Sequence, residues 1–501
     1  MKRSSTPTFV VEYPLDTTPK HKKSLNIILD VKRQIKNACT GEFRKRLKRL
    51  RSDPNYKKAI SMPKGKYRNE TFKLLEQKHG FTLAEMNLYT KTLTKTWLNQ
   101  HVDSALAQKI GEDIWQAFEE YRFKGKGKPR FKTKKQVSSI EGKSNKTGII
   151  WRNYTPNYFD ATTLVTQGYY VKIKGMKIPV KVKRKDEVQC WGLLHKVKYC
   201  RIVRRVIHKH ERFFVQLVLE GRPFPYQNHP IGKGKVGLDL GPSIVAIVGE
   251  QEAHLLEFCP DVIKDVKEFR RVQRQIDRQR RKSNPDNYNI NGTIKEGPKV
   301  WNISNRQKQN EAKLREIDRA LAARRNTEHG RLANLVIAMG DDIRHEKVSI
   351  KAWQKLYGRS IGRKAPGSFQ NKVDRKAESA GGRVSELSPY KTKLSQTCQC
   401  GHVKKKERSE RWHNCSNCGL SMQRDLYSAY LPLFVEDNVL DAGRAQAQWP
   451  SMETFLQTAL EDAKQRAIEK GYANPNFGLS KVQSQSSSSV KLELNASEAK
   501  A

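Results

Sequence analysis

The chain has no apolar run near 18 residues, which excludes an ordinary transmembrane helix. Its first residues, MKRSSTPTFVVEYPLD, lack the apolar core of a signal peptide. The expectation is a soluble, cytoplasmic protein of a prokaryotic cell, with no membrane partner. No internal repeat is found. Acids are scarce: 51 Asp and Glu face 97 Lys and Arg, a formal net charge of +46 over 501 residues. A compact chain so charged repels itself unless a polyanion neutralises it, and nucleic acid is the obvious one. The length suits two to four domains with ample core.

Cysteine is sparse too, with eight in all. Cys39, Cys190, Cys200 and Cys259 are scattered and read as ordinary buried thiols. Cys398, Cys400, Cys415 and Cys418 are clustered, and in a reducing compartment a cluster reads as metal ligands before disulfides. Two cysteine pairs fourteen residues apart let four thiolates meet around one tetrahedral Zn²⁺. Gly401 and Gly419 follow the pairs, where the turning backbone approaches sulfur. The first pair is C-x-C rather than C-x-x-C, so His402 and His413 stand as substitutes for one ligand.

Along the chain, TFVVEYPL near the N-terminus is strand-like and residues 25–136 read as helical. Thr82 and Glu85 offer a capping box. Val102, Leu106, Ile110, Ile114 and Phe118 form an apolar stripe. The stretch RFKGKGKPRFKTKKQ (122–136) breaks the pattern with Gly, Pro and cations. It is a solvated linker or a nucleic-acid loop, and its interleaved aromatics favour the loop; Lys126, Lys128, Arg130, Phe131 and Lys132 are the candidate contacts. Between 150 and 220, period-two alternation predicts short strands of a small barrel or sandwich. KVGLDLGPSIVAIVGE (235–250) is strand, turn, strand, followed by two helical stretches around an Asn- and Gly-rich loop at 283–303. DIRHEKVSI (342–350) reads as a strand and the Gly-, Lys- and Arg-rich 358–383 as a mobile loop. A helix follows Asp425, another is capped by Ser451, and the Ser-rich end reads as a disordered tail.

Three acids stand out. Asp239 lies in an apolar strand, where a charge costs several kcal/mol, on the order of 2–7, unless paired or metal-bound. Glu346 lies in a second strand, and Asp425 opens a helix seven residues after Cys418. Three such carboxylates can hold two Mg²⁺ ions on a scissile phosphate.

In this order, the acid of GLDLG, a later Glu on a strand before a basic loop, a four-cysteine ribbon and an RD opening a helix, the chain resembles the RuvC-like nuclease half of the TnpB family. These are transposon-encoded RNA-guided nucleases, related to the miniature type V CRISPR effectors. GKPRFKTKK resembles a motif ahead of that half. The likeness spans roughly 120–440 and is most specific in VSELSPYKTKLSQTCQCGH…RWHNCSNCGLSMQRDLYSAYL (384–431). It implies a multidomain α/β protein. An RNase H-like (RuvC) nuclease domain at 236–397 and 419–475 would carry an inserted zinc ribbon at 398–418. A β-barrel wedge at 1–24 with 137–235, and a helical recognition lobe at 25–136, would precede it; a disordered tail at 476–501 would follow. It implies Asp239, Glu346 and Asp425 as catalytic ligands of two Mg²⁺, with Asp342 the rival of Glu346, and the four clustered cysteines as ligands of one structural Zn²⁺. Its implied function is guide-RNA-directed cleavage of double-stranded target DNA, with a homodimer left open. The rivals are an RNA-guided repressor that does not cut and a guide-independent transposase or resolvase.

Overall fold

The computed structural model describes residues 7–154, 168–225, 230–263, 266–407, 409–471, 474–477, 479–481 and 492–494. The tail expected to be disordered lies mostly outside them. No described helix is long and apolar enough to cross a membrane. The chain divides into two compact units, 1–224 and 225–501.

In the first unit, strand β1 (Thr8–Pro14) leads into a long helix, α1 (Pro19–Ser52). Pro19 sits in the first turn and Thr18 accepts from the His21 amide, so the helix starts six residues before the expected 25. Helices α2 (Pro54–Ser61), α3 (Lys66–Lys78), α4 (Leu83–Leu93) and α5 (Ser104–Phe123) follow. The expected stripe on α5 is buried at Leu106, Ile110, Ile114 and Phe118, with Val102 just ahead. Thr82 does cap α4, but Glu85 turns to Arg46 at 2.9 Å instead of closing the box.

The strands of this unit are β2 (Ser139–Glu141), β3 (Ile149–Tyr154), β4 (Gly168–Ile173), β5 (Met176–Pro179), β6 (Val197–Ile207) and β7 (His210–Glu220), with α6 (Glu187–Leu193) before β6. They form an open four-stranded sheet, β1-β7-β6-β2, and a three-stranded one, β3-β4-β5. Among the described residues no barrel closes, a correction to the expected β-barrel. The four-stranded sheet instead buries Val11, Tyr13, Phe213 and Val215 in one core with α1 and α5.

The second unit is built on five strands in the order β10-β9-β8-β11-β12. β8 (Lys235–Leu240), β9 (Ile244–Val248) and β10 (Ala253–Glu257) are antiparallel neighbours. A helical hairpin, α7 (Val266–Lys282) and α8 (Asn305–Met339), separates them from β11 (Asp342–Glu346). Next come α9 (Ile350–Tyr357), α10 (Arg359–Lys364), α11 (Pro366–Ser379), β12 (Arg383–Leu387) and the short α12 (Pro389–Thr392). β11 runs parallel to both β8 and β12. The expected mobile loop at 358–383 is therefore largely helical. Phe369, Val373 and Ala377, spaced i, i+4, i+8, supply an apolar stripe that the surrounding Gly and Lys obscure.

A small hairpin, β13 (Trp412–Asn414) with β14 (Ser421–Gln423), closes the cysteine insertion. It hands the chain to α13 (Arg424–Tyr430) and then α14 (Ala442–Glu469). α14 is capped by Asp441 and runs through both Pro450 and the expected cap Ser451. Helices cover both sheet faces, so every residue of β9 is buried: Val245 and Ile247 pack with α8 and α11, Ile244 and Ala246 with α13 and α14.

Candidate catalytic and metal centre

The pairing of β8 with β11 fixes the site. Its last pair is Leu238 with His345; one step further stand Asp239 and Glu346, side by side at the carboxyl ends of parallel strands and on the same face. Gly237, two residues back on that face, explains what lies above it. A β-carbon there would sit 1.9 Å from the carbonyl oxygen of Ala429 in α13. Only glycine lets the helix approach so closely. Asp425, one turn before Ala429, lies about 6 Å back along the helix, and Asp239 lies about 6.6 Å beyond Gly237 along the strand. The helix thus sets Asp425 against Asp239.

The electrostatics agree. Burial, then Asp425, then Glu346 push the Asp239 carboxyl well above its ordinary value of 3.8. Among the described residues no group donates a hydrogen bond to it. Burial also raises Glu346, against the Thr392 hydroxyl, which donates to it at 3.0 Å. Asp425 is buried; the Gln423 amide donates to Oδ2 at 3.1 Å and the Arg424 guanidinium reaches Oδ1 at 3.3 Å. Asp239 and Glu346 open onto a cleft of about 610 Å³ that Lys347, Trp353, Gln370 and Tyr390 also line. Asp425, 186 positions from Asp239 in the sequence, is near enough to raise it. The like charges of Asp425 and Glu346 both act on Asp239, and Arg424 opposes them.

Asp342, the rival, is elsewhere. It starts β11, and one of its oxygens accepts from Arg344 at 2.8 Å and Arg383 at 2.7 Å. Burial would raise its pKa, but the two guanidinium groups hold it below the usual range. It is a buried structural ion pair.

The cysteines converge as the spacing predicts. The four sulfurs all lie within 4.8 Å of one another, with Cys398–Cys418 and Cys400–Cys415 each at 3.6 Å. A tetrahedral zinc with bonds of about 2.3 Å would space them by about 3.8 Å, so the cluster fits a metal ion. Neither histidine substitute is needed. His413 instead stacks on Tyr427, ring centres 4.2 Å apart. The Tyr427 hydroxyl donates to Cys398 Sγ at 3.6 Å and accepts from the Gln399 amide at 2.8 Å. Tyr427 lies two residues past Asp425 on α13. The cysteine knuckle is thereby bonded to the helix that carries the third acid, which is why the two adjoin in sequence.

The basic loop is a strap rather than a free linker. Pro129 accepts from Arg44 at 2.8 Å, Asn37 exchanges two hydrogen bonds with the Lys132 backbone, and Phe131 lies under Arg44 at 4.8 Å. Lys128 and Arg130 remain exposed, as does Lys126, which pairs with Glu120 at 2.9 Å.

Sequence reasoning overlooked three positioning residues. Gly237, inside a strand, was a signal of close backbone approach. Gln423 occupies the cap position of α13, its oxygen accepting from Leu426 at 2.7 Å. Tyr427 carried no signal beyond its place in a helix.

Residues 367–431 match the family model described as Cas12f1-like, TNB domain. That stretch contains all four clustered cysteines and Asp425. No curated protein matches. Two solved structures are similar at 14% identity. One is a Cas12f1–sgRNA–target DNA complex, covering 85% of this chain and 98% of that one with a TM-score of 0.40. The other is a CRISPR-Cas12f ternary complex, covering 83% and 85% with a TM-score of 0.26. The resemblance drawn from 384–431 is borne out by the family model, and the chain is similar to the Cas12f1-like, miniature type V effectors.

Proposed function

We propose that the chain is an RNA-guided DNA endonuclease that hydrolyses phosphodiesters at one RuvC-like site. The observation that carries this reading is that Asp239 and Glu346 line one cleft and that Asp425 and Glu346 both raise Asp239. A pair of Mg²⁺ ions held there would supply Lewis-acid polarisation of the phosphate and a water acidic enough to attack. The chain's own part is to hold the three carboxylates at fixed separation. β8 and β11 do this for Asp239 and Glu346, and the close approach of α13 at Gly237 does it for Asp425. Gln423 fixes the rotamer of Asp425, and Thr392 that of Glu346. The zinc ribbon at 398–418 anchors α13 through Tyr427. The Cas12f1-like segment and the +46 charge support guide RNA and double-stranded DNA as partners. On this reading 25–136 is the recognition lobe, 1–24 with 137–235 an open-sheet wedge, and 236–397 with 419–475 the RNase H-like nuclease domain.

Paired assays test it. Asp239→Ala, Glu346→Ala and Asp425→Ala should each lower Mg²⁺-dependent cleavage by at least about 10²–10³-fold, the scale of losing one transition-state interaction, while guide and target binding persist. Full-rate cutting by Asp239→Ala would leave an RNA-guided binder as the better account. Absence of any defined co-purifying RNA would leave a guide-independent nuclease.

A further inference from the structure

α7 is the most densely charged helix of the second unit, with eight cations and two acids in seventeen residues. Its apolar side, Phe269, Val272 and Ile276, turns to α8, and Val272 is buried. Lys267, Arg270, Arg274, Arg278 and Arg281 recur at i, i+3, i+7, i+11 and i+14, which places all five within about 80° of one another on the opposite side. All five are exposed. Arg281 pairs with Asp277 at 3.0 Å; the other four have no carboxylate partner among the described residues. Arg306 of α8 adds a further cation beside Arg278, in a shallow cleft that Gln275, Gln279 and Asn310 complete.

Like charges one helical turn apart oppose the helix that carries them. The stripe runs about 21 Å with roughly one cation per 5.4 Å turn, and a nucleic-acid duplex carries a phosphate charge about every 1.7 Å of axis. A membrane would need an apolar edge beside the cations, but the apolar edge of α7 is spent on α8. A single strand would need free aromatic faces. Trp301, Tyr288 and Phe269 of α7 itself are already covered, by Arg280 at 3.9 Å, Arg281 at 5.1 Å and Arg363 at 5.3 Å.

We propose that the stripe Lys267–Arg270–Arg274–Arg278 on α7 is a second nucleic-acid surface, which docks the backbone of a double-helical part of the guide RNA. The choice of RNA rests on the proposed function: a resident guide neutralises the stripe throughout the protein's life, whereas target DNA only visits.

The test uses the full chain with all four residues changed to Gln, and the RNA recovered from the wild-type protein expressed with its native flanking locus. The variant should bind that RNA at least about ten-fold more weakly at 0.15 M salt, with a log–log salt slope smaller by about three. Each protein, preloaded with the RNA, is then titrated with a 30-base-pair DNA duplex of arbitrary sequence, whose affinity should not change. Unchanged RNA affinity and slope would overturn the proposal and leave a solvated face. A slope change confined to the DNA would also overturn it, making DNA the occupant. Should the fourfold variant unfold at a lower temperature than wild type, Arg274→Gln with Arg278→Gln must still lower the RNA slope by about one to two. Failure here leaves the carboxylate reading intact, since that stands or falls on cleavage.

Discussion

One face of the β8–β11 pair carries two buried acid clusters that follow opposite rules. At the start of β11, Asp342 is met by Arg344 and Arg383, and Arg344 also donates to the Val435 carbonyl at 2.6 Å and to Glu436 at 3.0 Å. At the strand's other end, four residues on, Glu346 and the nearby Asp425 raise the buried Asp239. The first cluster is balanced within the chain and holds β11, β12 and the segment after α13 together. The second is not balanced, and its repulsion is a cost to the fold that a bound cation would relieve. Charge compensation, rather than the presence of an acid in a strand, is what distinguishes the two clusters.

The largest expected difference is in chemistry. Asp342→Ala, unlike alanine at the three clustered acids, should retain cleavage in single-turnover assays at low temperature. It should instead lose up to about 3–5 kcal/mol of stability in denaturant melts, because Arg344 would stay buried with only the exposed Glu436 as counter-charge. Cleavage lost by Asp342→Ala and kept by Glu346→Ala would exchange the two roles. The pH response follows. The native pKa of Asp342 lies below its unfolded value, so its contribution is complete above about pH 4 and fades as pH falls through the native value. Acid titration of unfolding in wild type and Asp342→Asn should converge at low pH.

Next in size is Gly237→Ala. Its β-carbon would meet the Ala429 carbonyl, so α13 must lift and carry Asp425 away. A stability loss of about 1–3 kcal/mol, the cost of overpacking, should accompany a cleavage loss much larger than that stability predicts. Equal cleavage by stable Gly237→Ala protein would remove α13 from the site.

Cys415→Ser should release the metal of the ribbon, readable as zinc per chain by elemental analysis, and should loosen α13 through Tyr427. Cleavage falls although no carboxylate is touched. Soluble, active wild-type protein without zinc would contradict this.

Smallest is the strap. Replacing Lys126, Lys128, Arg130 and Lys132 by Gln should weaken nucleic-acid binding about equally across sequences, with a salt slope lower by roughly 0.9 for each phosphate left without its cation. An unchanged slope would return the loop to the status of a linker.

The cysteine cluster was legible because its thiols come in pairs, and Asp239 stood out as a charge in an apolar strand. The α5 stripe and the β8 strand were legible from period alone. The α10–α11 segment was not, because three apolar residues carry its packing inside a Gly- and Lys-rich composition. Nor were β10 and β12, short strands whose pairing is fixed by partners distant in sequence. The barrel expectation failed because alternation tells which face a residue takes, not whether a sheet closes. The ion pairs of Asp342 with Arg344 and Arg383 were not legible, because only the fold supplies those positions.

The central claim is that the Asp239 cluster is repulsive alone and relieved by a divalent cation. Thermal unfolding of metal-free wild type and Asp239→Asn, with and without Mg²⁺, measures this directly. The native pKa of Asp239 is raised, so its charge opposes folding at neutral pH and the penalty shrinks as pH falls towards 3.8. Without metal at pH 7, Asp239→Asn should therefore be the more stable protein, with a margin that narrows towards pH 4. Mg²⁺ at about 100 times its dissociation constant should stabilise wild type by about 2.7 kcal/mol and the variant by far less. A variant that is less stable than wild type without metal, together with an equal Mg²⁺ response in both, would contradict the account.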